Sequence, residues 1–295
     1  MNSSLSSDPR LTPARPDLAA EELKGRVAAP RYASARIATV VHGSVLLRSR
    51  ADGEAPAASE LLFGEVLRVY ELRAGWAWGQ AAADGYVGYV EASALTFQQY
   101  RATHLVTGLF AHLLRAPSIQ SPAVALLPMG ARVTVIETDS DGLHGRIAER
   151  DGWINLRQLK PIGKVGATPH ALARRFLGVP YLWGGKTATG IDCSGLVQLV
   201  HALVGIDLPR DSDLQLAHLA EGNGQAVAPG VAKAGDLAFF PGHVGIMADE
   251  TRLLHANATR MEVSIDPLEE VIGWLRRDHP DQPFLGLYRL PRGDH

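Results

Sequence analysis

The sequence predicts an α+β domain that is preceded by two small all-β units. Three observations lead to this prediction. A stretch of short alternating apolar runs occurs twice in the first part of the chain. The pattern then changes to amphipathic helices followed by short strands. The only cysteine of the chain, Cys193, lies where one of these helices begins.

The composition is that of a globular protein. The chain has 295 residues, of which 46% are hydrophobic and 20% are charged, so it can bury a core. The net charge of -2 gives no sign of a nucleic-acid surface or of a basic membrane patch, and we expect neither partner. A single cysteine excludes an intrachain disulfide and a zinc site of the CxxC type.

The N-terminal residues 1–35 predict a tail that packs on the rest of the protein. Within it, DLAAEELKG predicts a short helix with Asp17 as N-cap and Gly25 near the C-cap. The sequence has neither a basic segment followed by an apolar one nor an apolar run of about 18 residues. We therefore expect a cytoplasmic protein, although an exported protein that has lost its leader would look the same.

An internal repeat follows the tail. Its copies consist of short apolar runs bounded by Gly, Pro and Asp, which predicts two small barrels at about 36–100 and 101–160. The pattern resembles bacterial SH3-like domains, in which a W/Y-G-[WY]-V strand closes the barrel. Three pairs of segments correspond at an offset of 66 or 67 residues: LLR at 46–48 and 113–115, FGEVLRVYE at 63–71 and MGARVTVIE at 129–137, and DGYVGYV at 84–90 and DGWINLR at 151–157.

Residues 165–295 predict the α+β domain. Thr168 is a suitable N-cap, and Pro169 a suitable first residue, for a helix that ends before Pro180. CSGLVQLVHALVGI predicts a second helix, and DLAFF, HVGIMAD and RLLHAN predict three consecutive strands. A last helix is expected from Asp266, and FLGLYRL predicts a terminal strand.

Cys193 is the candidate nucleophile. At the start of a helix, unpaired backbone N–H groups and the helix dipole favour a thiolate, which is the nucleophilic form of cysteine. A lone cysteine is more often an inert core residue. Here, however, its neighbours Asp192, Ser194 and Gly195 are polar or small, and glycines precede them in a loop. These neighbours favour the catalytic interpretation.

Two histidines are the candidate partners of the cysteine. A nucleophilic thiol needs a base, and the base needs a group that orients it. His243 and His255 lie in consecutive predicted strands, which antiparallel pairing would bring to one face of a sheet. His243 is the predicted base and His255 the predicted orienting residue. Asn257, two residues further on the same face, is the alternative third member.

Five segments over residues 168–290 resemble the NlpC/P60 family of cell-wall cysteine peptidases: YLWGG, DCSGLV, GDLAFF, HVGI and LLHAN. The distance of about 50 residues from DCSG to HVGI is the most specific part of this pattern. The resemblance implies a papain-like catalytic domain in which Cys193 attacks, His243 is the base and His255 orients it. It implies no metal and no organic cofactor.

The resemblance also implies a substrate class. Family members with N-terminal SH3-like domains resemble γ-D-glutamyl-L-diamino acid endopeptidases of the dipeptidyl-peptidase VI type. These cut peptidoglycan-derived peptides, L-Ala-γ-D-Glu-diamino acid, that have a free amine. Because a free amine is cationic, Asp192 and Ser194 are expected to bind it. Tyr86 of the first SH3-like domain is expected to close this subsite, with Tyr89 as the alternative.

Two further residues have two interpretations each. Tyr181 could donate its hydroxyl to the developing oxyanion, or it could pack beneath the nucleophile loop. Ser212, in LPRDSDLQ, could bind the glutamyl carboxylate of the substrate, or it could belong to a helix N-cap.

The role of the SH3-like pair and the reaction itself also have alternatives. The pair could target the enzyme to peptidoglycan, or the first copy could form a wall of the active site, which implies recycling of cell-wall peptides in the cytoplasm. An amidase or an acyltransferase would use the same thioester. A non-catalytic cell-wall-binding protein would not need Cys193, His243 and His255, so their presence argues against it.

Overall fold

The computed structural model describes residues 8–228 and 230–290. The chain divides into two compact units, residues 1–162 and 163–295. The first seven residues of the predicted tail lie outside the described residues. Among the described residues, no helix is long and apolar enough to cross a membrane.

The N-terminal segment forms a small sheet where a helix was predicted. Only Glu21–Leu23 form a turn of 3-10 helix, and Asp17, the predicted N-cap, is exposed and pairs with two arginines. The preceding LAA segment is fully buried in a cluster with Tyr70 and Trp78 of the following barrel. Burial on all sides overrides the local helix preference, and the described part of the segment packs on the barrel. The strands are β1 (Ala14–Arg15), β2 (Leu18–Ala20) and β3 (Tyr32–Ala33).

The first repeat copy folds as one seven-stranded sheet around its own core. The strand order is β10-β4-β7-β8-β9-β5-β6, with antiparallel neighbours. Leu47, Leu67 and Val90 alternate with exposed or half-buried residues and fill the interior. The strands are β4 (Arg36–Val40), β5 (Ser44–Arg48), β6 (Ala57–Leu62), β7 (Val66–Arg73), β8 (Trp76–Ala81), β9 (Val87–Glu91) and β10 (Leu95–Thr96).

The second copy repeats this topology in two sheets, β14-β11-β18 and β13-β12-β17-β16-β15. Strands β12 to β13 and β15 to β17 pair in the same order as β5 to β9 of the first copy, so the predicted repeat is confirmed. The second copy has its own core cluster, into which Phe63 of the first copy also packs. The strands are β11 (His104–Val106), β12 (Phe110–Leu114), β13 (Ala123–Pro128), β14 (Arg132–Val133), β15 (Val135–Thr138), β16 (His144–Ile147), β17 (Trp153–Asn155) and β18 (Leu159–Pro161).

The second unit is an α+β fold with helices before an antiparallel sheet, as predicted. The sheet has the order β21-β26-β22-β23-β24-β25. Thr168 caps α1 by accepting a hydrogen bond from the backbone N–H of Ala171, as its sequence position predicted. The helices are α1 (Pro169–Ala173), α2 (Cys193–Ala202), α3 (Ser212–His218) and α4 (Leu268–Leu275). The strands are β19 (Lys186–Thr187), β20 (Gly190–Ile191), β21 (Gln225–Val227), β22 (Leu237–Phe240), β23 (His243–Met247), β24 (Arg252–Asn257), β25 (Glu262–Pro267) and β26 (Gly286–Arg289).

One difference concerns Asp266. The pair Asp266-Pro267 was expected to start the last helix, but it ends strand β25, and α4 begins at Leu268. The segment EVSIDP alternates polar and apolar residues, so Val263 points into the core and Ser264 and Asp266 share the other face. This strand completes the edge of the sheet beside His255.

Candidate active site

Cys193 is the first residue of helix α2, directly after the β19–β20 hairpin. Asp192 is the N-cap residue, and its Oδ1 accepts a hydrogen bond of 2.7 Å from the backbone N–H of Gly195. Gly195 must be glycine here, because a Cβ atom would lie 2.5 Å from the carbonyl oxygen of Gly185. The loop and the helix start are thus packed tightly enough to fix the position of the sulfur atom.

Burial and hydrogen bonding act on the Cys193 thiol in opposite directions. Burial, reinforced by the negative charge of Asp192, raises the pKa of Cys193 to about 12. The backbone N–H groups of Val244 and Ser194 hydrogen-bond to the sulfur and lower this pKa. The helix start supplies one of these donors, Ser194, and strand β23 supplies the other, but burial outweighs both and favours the protonated thiol in the resting site.

His243 begins strand β23, and its neighbour Val244 touches the cysteine sulfur through its backbone N–H. The Nε2 atom of His243 lies 2.7 Å from Nδ1 of His255. Its ring also packs beside Phe240. Burial, and then the proximity of His255, lower the pKa of His243 to about 3, so the imidazole is neutral in the resting site.

His255, on the neighbouring strand β24, is 1% exposed. Its Nε2 atom lies 3.2 Å from Oδ2 of Asp266 and 3.3 Å from Nδ2 of Asn257. The ring stacks on Trp274 of α4 at 6.1 Å between centroids. Of the two alternatives for the third member, the structure thus brings His255 to His243, while Asn257 contacts the far side of His255.

Glycine at position 245 allows the two histidines to meet. Gly245 is two residues from His243 and on the same face of the sheet. A Cβ atom at Gly245 would lie 2.9 Å from Cβ of His255 and 2.7 Å from Cγ of Leu253. Any side chain at this position would push His255 away from His243.

A buried arginine lies beneath the nucleophile loop. Arg210 is 1% exposed and forms a two-pronged ion pair with Asp192, with Nη1–Oδ1 at 2.9 Å and Nη2–Oδ2 at 2.6 Å. Its Nη1 also donates to Ser194 Oγ at 3.0 Å. Gln215 Nε2 donates to the carbonyl oxygen of Ser194 at 3.0 Å. These contacts hold both predicted amine-binding residues, which are almost completely buried.

Arg210, Gln215 and Asp266 were not among the site residues predicted from the sequence. Arg210 and Gln215 lie in the segment LPRDSDLQ that pointed to Ser212, and a charged residue between Pro209 and a helix start was the available signal. The signal for Asp266 was the alternation of polar and apolar residues in EVSIDP. That signal predicts a strand, whereas Asp-Pro alone suggests a helix start.

The remaining predicted site residues lie in different surroundings. Tyr181 is half-buried, and burial followed by the nearby Cys193 raises its pKa. Its ring is therefore close enough for an electrostatic interaction with the sulfur. Ser212 is the first residue of α3, with Asp211 in the N-cap position, and is half-buried. Tyr86 belongs to the first unit, where it is 7% exposed in the barrel core, and Tyr89 contacts Arg15.

In residues 8–228 and 230–290, no group of three or more His, Cys, Asp and Glu side chains could hold a metal ion.

Comparison with known proteins identifies two regions of the chain. Residues 178–277 match the NlpC/P60 family, and residues 47–95 match the bacterial dipeptidyl-peptidase SH3 domain. Cys193, His243 and His255 all lie within the first of these regions. The prediction of this peptidase domain preceded by SH3-like sequence is confirmed.

Two relatives and one solved structure define the similarity further. Dipeptidyl-peptidase 6 of Lysinibacillus sphaericus is 28% identical over 79% of this chain and 92% of that protein. γ-D-Glutamyl-L-lysine dipeptidyl-peptidase of Bacillus subtilis is 36% identical over 33% of this chain, which spans only 34% of that relative. An NlpC/P60 family protein from Bacillus cereus has a TM-score of 0.71 at 21% identity, over 86% of this chain and 100% of that one, and thus shares the fold. The predictions of the fold and of a cysteine peptidase are confirmed.

Proposed function

Because the chain is a cysteine peptidase with an NlpC/P60 domain and a bacterial dipeptidyl-peptidase SH3 domain, we propose that it hydrolyses the γ-D-glutamyl–diamino acid bond of peptidoglycan stem peptides. The preferred substrate has a free N-terminal L-alanine. The observation that carries this proposal is the combination of both domains in one chain, which aligns with 92% of dipeptidyl-peptidase 6.

The proposed reaction is acyl transfer through a thioester. His243 uses Nδ1, since Nε2 faces His255, to take the proton of the Cys193 thiol. The sulfur attacks the γ-glutamyl carbonyl carbon, and the resulting oxyanion receives hydrogen bonds from the backbone N–H of Cys193 and the hydroxyl of Tyr181. The C–N bond breaks as imidazolium at His243 protonates the leaving amine. Water, deprotonated by His243, then hydrolyses the thioester and restores the thiol.

The two residues beside the nucleophile support recognition of the free amine. Asp192 and Ser194 flank Cys193, so a group bound to them lies one residue from the sulfur. Arg210 balances the charge of Asp192, and Gly184 N–H also donates to Oδ2 at 2.8 Å. We therefore expect this pair to bind the ammonium group through oxygen acceptors that the surrounding hydrogen bonds already hold in place. Ser212 is proposed to bind the glutamyl carboxylate.

We further propose that the enzyme acts in the cytoplasm on peptides released from the cell wall. A requirement for a free L-alanine amine supports this role, because in intact peptidoglycan that amine is acylated. The role is tested by comparing cleavage of purified intact sacculi with cleavage of free L-Ala-γ-D-Glu-diaminopimelate. Faster cleavage of sacculi would contradict it.

The substrate proposal is tested with a pair of defined peptides. L-Ala-γ-D-Glu-diaminopimelate and its N-acetylated form are incubated with the enzyme, and products are identified by mass spectrometry. Loss of a charge-assisted hydrogen bond costs about 1.5–3 kcal/mol, so kcat/KM is expected to fall about 10-fold to 150-fold on acetylation. Equal cleavage of the two peptides would reject the free-amine requirement.

Two controls separate the alternative reactions. Cys193→Ala must abolish release of diaminopimelate while leaving the fold intact. A muramoyl peptide and an added amine acceptor are supplied in parallel. Release of the whole peptide from muramic acid would identify an amidase, and appearance of a new amide with the added amine would identify an acyltransferase.

A further inference from the structure

A buried carboxylate stands behind the two histidines. Asp266 is 3% exposed, and its Oδ2 lies 3.2 Å from Nε2 of His255. His255 Nδ1 lies 2.7 Å from Nε2 of His243. The three side chains therefore form a single line of hydrogen bonds, which begins at the proposed base and ends at a carboxylate.

The surroundings of Asp266 keep it ionised. Ser264 Oγ donates to Oδ2 at 2.5 Å, and Arg260 Nε donates to Oδ1 at 2.8 Å. Burial acts to raise the pKa of Asp266, but the hydrogen bonds from Ser264, Arg260 and His255 outweigh it and hold the pKa below its usual value. An ionised carboxylate has no hydrogen to donate, so Asp266 can act only as an acceptor toward His255.

Asn257 also lies within hydrogen-bond distance of this nitrogen, but its Nδ2 is a neutral donor, whereas the ionised carboxylate of Asp266 is a charged acceptor and forms the stronger hydrogen bond. The Oδ1 atom of Asn257 accepts the backbone N–H of Arg260 at 2.8 Å, which fixes the orientation of the amide. Its Nδ2 donates to Ser264 Oγ at 2.8 Å, although it also lies 3.3 Å from His255 Nε2. Of the two side chains that contact this ring nitrogen through the hydrogen bonds described above, Asp266 is thus the charged acceptor.

The acceptor at Asp266 determines where both histidines carry their hydrogens. A neutral imidazole has one N–H and one bare nitrogen. With Nε2–H of His255 donated to Asp266, Nδ1 of His255 is bare and accepts the Nε2–H of His243. Nδ1 of His243 is then bare and can take the proton of Cys193. The reverse arrangement would place a hydrogen on that nitrogen and block proton uptake.

We propose that Asp266 is a positioning residue of this peptidase: it fixes His255 in the tautomer that leaves Nδ1 of His243 able to accept the proton of Cys193. The proposal rests on the assignment of Cys193 and His243 as nucleophile and base, and not on the identity of the peptide. Asp266 accepts a hydrogen bond throughout and takes no proton itself.

The substitution Asp266→Asn tests the tautomer directly. Arg260 is a cation and can donate only to the amide oxygen, so the amide nitrogen of the variant turns toward His255. That nitrogen donates to Nε2 and moves the hydrogen of His255 to Nδ1, which forces a hydrogen onto Nδ1 of His243. In enzymes where the base is held in the wrong tautomer, kcat falls by up to about 10⁴-fold. We expect a loss of 10²-fold to 10⁴-fold in kcat, with KM changed less than about threefold.

Asp236→Asn is the matched control. Asp236 is also buried in the sheet of the second unit and pairs with Arg289 at 2.7 Å. It is not among the partners of His243 or His255. We expect its variant to keep kcat within threefold of the unchanged enzyme. Melting temperatures of both variants check that they fold.

Two readouts separate tautomer control from a merely structural role. In 15N spectra of histidine-labelled protein, His255 is expected to carry its hydrogen on Nε2 in the unchanged enzyme and on Nδ1 in Asp266→Asn. Adding Arg260→Ala to Asp266→Asn frees the amide to turn its oxygen to His255, so part of kcat is expected to return. A double variant that is less active than the single one, or a His255 whose hydrogen does not move, would overturn the proposal.

An alkylation assay tests the role of Asp266 independently of the proposed substrate. If the unchanged enzyme cleaves no stem peptide, the substrate proposal is wrong, but the rate of Cys193 alkylation by iodoacetamide at pH 7 still reports on His243. Asp266→Asn is expected to slow that alkylation at least tenfold, and Asp236→Asn is not. Equal alkylation rates in all three proteins would reject the role of Asp266 without reference to any peptide.

Discussion

Replacing Arg210 by methionine removes the arginine that pairs with Asp192, a buried carboxylate directly before Cys193. The two terminal nitrogens of the guanidinium donate to the carboxylate oxygens of Asp192, at 2.9 Å and 2.6 Å. Both side chains are less than 10% exposed. Breaking a buried pair by removing one partner costs about 3–5 kcal/mol, because the other charge stays uncompensated. Arg210→Met is therefore expected to lower the free energy of unfolding of the second unit by about this amount.

A double variant shows whether the loss of stability comes from the uncompensated charge of Asp192. Asn is as good an N-cap as Asp, so Asp192→Asn keeps the bond to the Gly195 N–H at the start of α2. Removing both charges of a buried pair is far less costly than removing one. The Asp192→Asn/Arg210→Met protein is therefore expected to regain most of the stability that Arg210→Met loses.

Urea unfolding measures the free energy of unfolding, and calorimetry measures the melting temperature. An ion pair on the surface serves as the control. Arg252 pairs with Asp249 where both side chains are exposed, so Arg252→Met is expected to leave the melting temperature unchanged within error. A loss below about 1 kcal/mol in Arg210→Met would refute the reasoning. So would a double variant that is no more stable than the single one.

Three further predictions follow from the site geometry. Gly245→Ala is expected to destabilise the protein by about 1–3 kcal/mol through overpacking against His255 and to lower kcat at least tenfold. The control is Gly273→Ala in α4, which is expected to be neutral or stabilising because a Cβ there meets nothing within 4 Å. Equal losses of stability in the two variants would contradict the prediction. Tyr181→Phe is expected to lower kcat by about 10²-fold to 10³-fold if the hydroxyl serves the oxyanion, and an unchanged kcat assigns the residue to packing. Because burial raises the pKa of Cys193, alkylation without substrate should keep accelerating above pH 9, and a plateau near pH 6 would contradict this.

The parts of the fold that local chemistry determines could be predicted from the sequence. Thr168 and Pro169 predict the start of α1 because the capping hydrogen bond, from Ala171 N–H to Thr168 Oγ1, joins residues only three positions apart. The strand of His243 is defined by its own alternation and by the turn before it. The repeat predicted two barrels because each copy builds most of its core from its own residues, although Phe63 of the first copy also packs into the core of the second.

The parts that failed depend on contacts distant in the chain. LAA at 18–20 has a helical composition, yet it is a strand because Tyr70 and Trp78, about 50 residues further on, bury it completely. Arg210 and Asp192 are 18 residues apart in the sequence, and no local sequence pattern predicts that this arginine is buried in an ion pair with Asp192. Local propensity does not contain the energy of such contacts, so sequence patterns alone could not show them.

The same distinction explains the charge state of Cys193. Its position at a helix start predicts stabilisation of a thiolate, and the N–H groups of Ser194 and Val244 supply it. The enclosing structure adds burial and the nearby charge of Asp192, both of which oppose ionisation. A thiol that is protonated at rest makes catalysis depend on proton transfer to His243 during attack. That dependence requires a bare Nδ1 on His243, which is the condition that the contact of His255 with Asp266 maintains.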